Sequence, residues 1–165
     1  MEFDAYKVKD ELVQWIRDWF EENGKGCNAV IGISGGKDSS VVAALCVAAY
    51  GKENVVGVLM PDGIQPDIDY SQGLVEFLDL KHYTFNIHGG TSGILEEMDR
   101  IGVEATRQTK VNLPSRIRMA TLYAIAQSVD GGIVMINKLD REQYTAVAKS
   151  PADGFITVNG KFYKQ

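Results

Sequence analysis

The sequence predicts an α/β fold in three layers: a parallel sheet with helices on both faces, ending in a C-terminal hairpin. Three observations point there. Short apolar runs rich in β-branched residues alternate with segments of helical periodicity. Those runs are apolar throughout, as strands covered on both faces are. The tail breaks the alternation, with Asn159-Gly160 set between β-prone residues.

Leu12, Val13, Ile16, Trp19 and Phe20 recur at helical spacing over residues 3–22, and Asn23-Gly24 stops the helix. Residues 29–33 form the first strand, followed by a glycine-rich turn. Residues 38–50 are apolar nearly all round, which suits a helix buried on several sides. Residues 55–60 are the second strand, and Pro61-Asp62-Gly63 is a loop. A helix over 67–79 carries Ile68, Leu74, Val75 and Leu78 on one side, and residues 82–87 are the third strand. A short helix covers 92–104. Asn112-Leu113-Pro114 opens a longer one through Val129, with the proline in the first turn, where its missing N–H costs nothing. Asp130-Gly131-Gly132 ends it, and residues 133–136 are the fourth strand. There is no internal repeat, low-complexity stretch or linker, so residues 1–165 read as one domain.

With 45% hydrophobic and 24% charged residues, the composition is that of a globular chain with a real core. The net charge of −5 argues against duplex nucleic acid as a partner. It does not argue against a small anion, because a few local donors suffice to hold one. Cys27 and Cys46 match no zinc spacing and read as reduced, mostly buried thiols. The amphipathic, acidic N-terminal segment does not read as a signal peptide, and the apolar runs fall short of the ~20 residues of a membrane span. The expected location is the cytoplasm, with no membrane contact.

The chemistry is concentrated between the first strand and its helix, in Gly32-Ile33-Ser34-Gly35-Gly36-Lys37-Asp38-Ser39-Ser40. In a parallel sheet ligands sit at the carboxyl ends of strands, and a helix N-terminus there offers free N–H groups and a partial positive charge. Adjacent glycines allow close approach of the backbone to an anion. Ser34, Ser39 and Ser40 add hydroxyls, Lys37 a cation, and Asp38 a carboxylate able to hold Mg²⁺ against phosphate oxygens. The Walker pattern fails, because Ile31 stands where its first glycine belongs and Asp38 follows the lysine. The dinucleotide glycine fingerprint is absent too.

The Ser-Gly-Gly-x-Asp-Ser run of residues 34–39 resembles the signature of the pyrophosphate-loop ATP enzymes. Within that group, residues 32–46, residues 57–61 and Asn112 to Met119 with Leu122-Tyr123 resemble ammonia-dependent NAD synthetase. The likeness covers about residues 1–136 and leaves 137–165 as a divergent tail. It implies a Rossmann-like nucleotide-binding fold of the adenine nucleotide alpha hydrolase kind. It also implies ATP-driven amidation of deamido-NAD to NAD: the nicotinate carboxylate is adenylated, ammonia displaces AMP, and pyrophosphate is released. By resemblance Gly32, Ile33, Ser34, Gly35, Gly36, Lys37 and Ser39 cradle ATP, with Lys37 and Asp38 catalytic and Asp38 binding Mg²⁺. Met60 belongs to the adenine pocket and Arg116 contacts deamido-NAD; a solvated helical arginine is the other reading of Arg116. The helix at 114–129 resembles the family's homodimer interface, though Met119, Leu122, Tyr123 and Ala126 would equally serve a monomer core.

The resemblance breaks after the fourth strand. Ungapped, Ile136 takes the place of the family's ATP-contacting threonine and Arg141 that of its second metal-binding glutamate. Asp140, one position away, is the replacement ligand expected here, with Glu142 a second candidate. Lys149 is a candidate stand-in for the family's later lysine contact, with a solvated lysine the favoured reading. The alternative expectation is a homologue that binds ATP or a dinucleotide without turning it over.

Overall fold

A computed structural model describes residues 4–64, 68–129 and 132–135, and the backbone alone of Ile136 and of strands at 146–148, 155–158 and 161–164. Four parallel strands, β1 (Ala29–Ile33), β2 (Val55–Leu59), β3 (Lys81–Thr84) and β4 (Ile133–Ile136), stand in the order β3-β2-β1-β4. The chain runs from β1 outward to β2 and β3, then returns to the other flank of β1 as β4. The order therefore reverses at β1, and the crevice for a ligand opens at its carboxyl end.

The alternation of side chains along each strand splits the core in two. On one face Ala29, Ile31 and Ile33 pack with Val55, Leu59 and Ile133 against α1 (Ala5–Asn23), α2 (Lys37–Tyr50) and α3 (Ile68–Phe77). Ile16 and Phe20 of α1, Ala43 and Cys46 of α2 and Val75 of α3 are buried there. On the other face Val30, Val56, Val58 and Val134 pack against Leu122 and Ala126 of α5 (Arg107–Ser128). The fifth helix, α4 (His88–Arg100), lies beside α5, with Gly90 close enough that a Cβ there would meet Ile117 at 3.1 Å. This is the three-layer sheet that the apolar patterning predicts.

Arg17 of α1 donates to the carbonyls of Ala49 (3.0 Å) and Ala48 (2.8 Å). It thereby satisfies the C-terminal end of α2, where a cation also suits the helix dipole.

Several boundaries differ from expectation. α5 begins at Arg107, seven residues before Pro114, because Thr106 caps it by accepting from the Thr109 N–H (3.1 Å). Pro114 is thus inside the helix and not in its first turn; it removes the bond to the carbonyl four residues back. α4 starts at His88 rather than residue 92, and it ends at Arg100 because Gly102, at φ +77°, turns the chain. β3 ends at Thr84, yet Phe85 N–H still bonds Leu59 O and Ile87 N–H bonds Pro61 O, both at 2.8 Å, as far as the expected end at 87.

A short strand β5 (Ala146–Ala148), which the sequence reading does not contain, adds antiparallel to β4. The expected hairpin is present as β6 (Phe155–Val158) and β7 (Lys161–Lys164), antiparallel with Val158 opposite Lys161. Among the described residues no helix is long and apolar enough to cross a membrane.

Candidate functional site

The turn from β1 into α2 is built from its own side chains. Gly35 sits at φ +75°, a conformation open to glycine, and Gly36 is the N-cap of α2. Ser34 N–H donates to Ser39 Oγ and Gly36 N–H to Ser34 Oγ, both at 3.3 Å. The hydroxyls of Ser39 (3.1 Å) and Ser40 (2.9 Å) donate to the Gly36 carbonyl. The serines expected as ligand donors thus also hold the loop's shape. The N–H groups of Lys37, Asp38 and Ser39, in the first turn of α2, have no intrahelical acceptor and are the donors left for an anion. Lys37 is exposed at the rim of the loop and Asp38 half-buried in the first helical turn.

A cavity of about 340 Å³ opens beside this loop, at the switch point of the sheet. Gly32, Ile33 and Ser34 form one wall and Met60, at the end of β2, another. α3 contributes Ile68 and Ser71, and α5 contributes Ser115, Arg118, Met119 and Leu122, which fall at helical spacing on one face. A Cβ at Gly32 would come 3.0 Å from Met60 Cε and 3.1 Å from Leu122 Cδ1, so glycine there keeps this wall open. The walls are largely apolar with a few polar groups among them, the usual make-up of a small-molecule site.

Arg118 ties the site together: its Nε donates to the Met60 carbonyl at 3.0 Å, joining α5 to the end of β2. Beyond Met60 a second tie holds the loop. Asn86 accepts from Gly63 N–H (3.1 Å) and His88 N–H (3.0 Å) and donates back to Gly63 O (3.2 Å). Asp62 accepts from the Thr91 hydroxyl at 2.9 Å, with His88 Nδ1 at 3.0 Å.

The structure thus brings Gly32, Ile33, Ser34 and Met60 to one cavity, with Gly35, Gly36, Lys37, Asp38 and Ser39 in the adjoining loop. Arg116 is exposed on α5, outside the lining residues; its neighbour Arg118 is inside them. Asp140, Arg141, Glu142 and Lys149 lie outside the described residues. Among the described residues no cluster of three or more His, Cys, Asp or Glu is placed to hold a metal. Asp38 fits a Mg²⁺ that takes its remaining ligands from phosphate and water, the usual arrangement for nucleotide-bound magnesium. Sequence reasoning missed Ser71, Ser115 and Arg118 as site residues. For the α5 pair a signal existed, since Ser115, Arg118, Met119 and Leu122 repeat at three- and four-residue intervals; Ser71 is brought in by tertiary packing alone.

The NAD synthase family model matches residues 8–145. The chain belongs to the NAD synthase family. It is 33% identical over 162 residues to the NH(3)-dependent NAD(+) synthetase of Alkaliphilus metalliredigens, covering 93% of this chain and 64% of that protein. With the enzyme of the same name from Thermococcus sibiricus it shares 37% identity over 127 residues, covering 76% of this chain and 48% of the relative. Among solved structures, the NH3-dependent NAD synthetase of Campylobacter jejuni superposes with a TM-score of 0.71 at 28% identity, over 80% of this chain and 56% of that one. An NMN synthetase from Francisella tularensis gives 0.70 at 30%, over 81% and 54%. The chain spans about half to two thirds of the length of these NAD synthase relatives.

Proposed function

We propose that the chain binds ATP–Mg²⁺ at the β1–α2 loop and uses it to amidate deamido-NAD with ammonia, giving NAD, AMP and pyrophosphate. The observation that carries this is the loop at the switch point: three unbonded first-turn amides and Lys37 in the turn adjoining a largely apolar cavity. Family membership supplies the reaction class.

In this reading the triphosphate lies over Gly35 and Gly36, on the amides of residues 37–39. The purine occupies the slot between Met60, Ile68 and Leu122, a width that Gly32 keeps open. Asp38 would hold Mg²⁺, which would draw charge from the phosphate oxygens when bound. Lys37 neutralises the charge that builds on departing pyrophosphate. A carboxylate oxygen of the substrate attacks the α-phosphorus, and the bond to the β-phosphate oxygen breaks. Ammonia then adds to the acyl carbon, AMP leaves with the bonding pair, and the added nitrogen loses a proton to solvent. Arg116, exposed on α5, contacts the second substrate, and Asp140 would be the second ligand to the metal. Ammonia arrives free or from a partner, and the protein works in the cytoplasm.

The test incubates the chain with ATP–Mg²⁺, ammonium chloride and deamido-NAD, and in parallel with nicotinate mononucleotide, because one structural relative is an NMN synthetase. AMP and NAD appearing together in the first mixture support the proposal. AMP with the mononucleotide alone moves the substrate to the smaller acid. ATP binding without AMP in either makes the chain a nucleotide-binding homologue that does not turn over.

A further inference from the structure

Ser71 of α3 is 1% exposed, and its Oγ is the buried side-chain atom without a hydrogen-bond partner among the described residues. A buried hydroxyl left unpaired is destabilising, and such groups in folded proteins usually have a partner. Two facts say where that partner comes from. Ser71 belongs to the wall of the 340 Å³ cavity. Its Oγ also lies 3.1 Å from where a Cβ on Gly35 would stand, with its backbone N at the same distance. The orphan hydroxyl therefore stands beside the β1–α2 loop at Gly35, the loop residue whose positive φ turns the chain.

We propose that Ser71 is a further nucleotide-binding residue, whose hydroxyl donates a hydrogen bond to a phosphate group seated on the loop over Gly35. This rests on the ATP-binding reading of the loop and adds to it a contact from a different helix. Binding would then link α3 to the β1–α2 turn through the ligand, and Ser71 would lose its unpaired state only when phosphate is present.

The experiment measures dissociation constants of ATP–Mg²⁺ and of magnesium pyrophosphate for the unmodified chain and for Ser71→Ala, with thermal melts of both proteins free of ligand. The expected result is a five- to twentyfold weakening of both ligands in Ser71→Ala, and a ligand-free Tm equal to or above that of the unmodified chain. Binding within twofold of the unmodified chain overturns the Ser71 assignment and leaves the loop reading standing. Weakening of ATP alone moves the contact to the nucleoside and overturns the phosphate assignment. A clear fall in the ligand-free Tm shows that the hydroxyl already has a protein partner, and also overturns it. If the unmodified chain binds neither probe, the loop reading itself fails and Ser71 falls with it.

Discussion

At the scale of single residues, the two adjacent glycines of the loop have different jobs. Gly35 is at φ +75°, and a Cβ there would press on Tyr70 Cβ (3.0 Å) and on Ser71. Gly36 is in ordinary extended conformation, and a Cβ would meet Ser34 Oγ at a tolerable 3.4 Å. Gly35→Ala should therefore lower stability by about 1–3 kcal/mol, while Gly36→Ala stays within about 1 kcal/mol of the parent and acts on ATP affinity. Urea unfolding checks the first effect and calorimetric titration the second. Asp38 makes no side-chain bond that shapes the loop, so Asp38→Ala should keep the far-ultraviolet spectrum and Tm and lose ATP–Mg²⁺ binding at least tenfold. Retained affinity in that variant would contradict the role given to this carboxylate.

At the scale of elements, the strands flanking β1 were legible because they are covered on both faces. Val55, Val56, Val58 and Leu59 are all buried, and such runs leave no ambiguity of period. β3 was harder to bound: Lys81, His82, Tyr83 and Thr84 are all exposed at the sheet edge, so no apolar pattern marks its start. Pro114 misled for a related reason. Proline signals a helix start only as a prior, and α5 packs well enough on β1 and β4 to carry one in its interior. β5 was invisible because three residues paired to an edge carry no periodicity.

The turn after α3 offers a test of local electrostatics. Asp79 takes φ 51° there and pairs with Lys52, whose hydrogen bond holds the Asp79 carboxyl below its ordinary range and raises the Lys52 ammonium. A depressed carboxyl contributes stability above its unfolded value of about 3.9, and loses it as pH falls through the folded value. Asn tolerates the same backbone, so Asp79→Asn isolates the pair. A slightly lower Tm is expected at pH 7, with the gap closing below about pH 4 and in about 1 M salt, because the pair is solvent-exposed. A gap that does not narrow at all as pH falls below about 4 would assign the effect to the backbone instead.

At the scale of the whole molecule, one stretch of apolar surface left open among the described residues runs along β3 and α5. Tyr83, Phe85, Ile117, Ala120, Ala124 and Ile125 line an open groove of about 650 Å³, with Tyr83 39% and Phe85 48% exposed. The α5 residues that the sequence left open turn inward: Leu122 and Ala126 are buried in the monomer core, Tyr123 packs against it and Met119 lines the cavity, whereas Ala120 and Ala124, outside that set, face outward. The expectation that α5 joins two copies therefore falls to Ala120 and Ala124. Ala124→Glu should convert a dimer to a monomer in sedimentation velocity with the Tm within a few degrees. An unmodified chain that sediments as a monomer at tens of micromolar would end it. Saturating ATP–Mg²⁺ at a hundred times its dissociation constant should add about 2.7 kcal/mol to stability.

The strand order also governs how the molecule comes to be. β1 is hydrogen-bonded to β2 after a short excursion, but its other neighbour begins at Ile133, roughly a hundred residues downstream of Ala29. Pairings of such long sequence separation are slow to form. On a ribosome, the strand that carries the loop would wait with one edge bare until β4 had emerged. Refolding should accordingly show an early phase that builds β1, β2 and the helices between them, and a late one in which β4 docks.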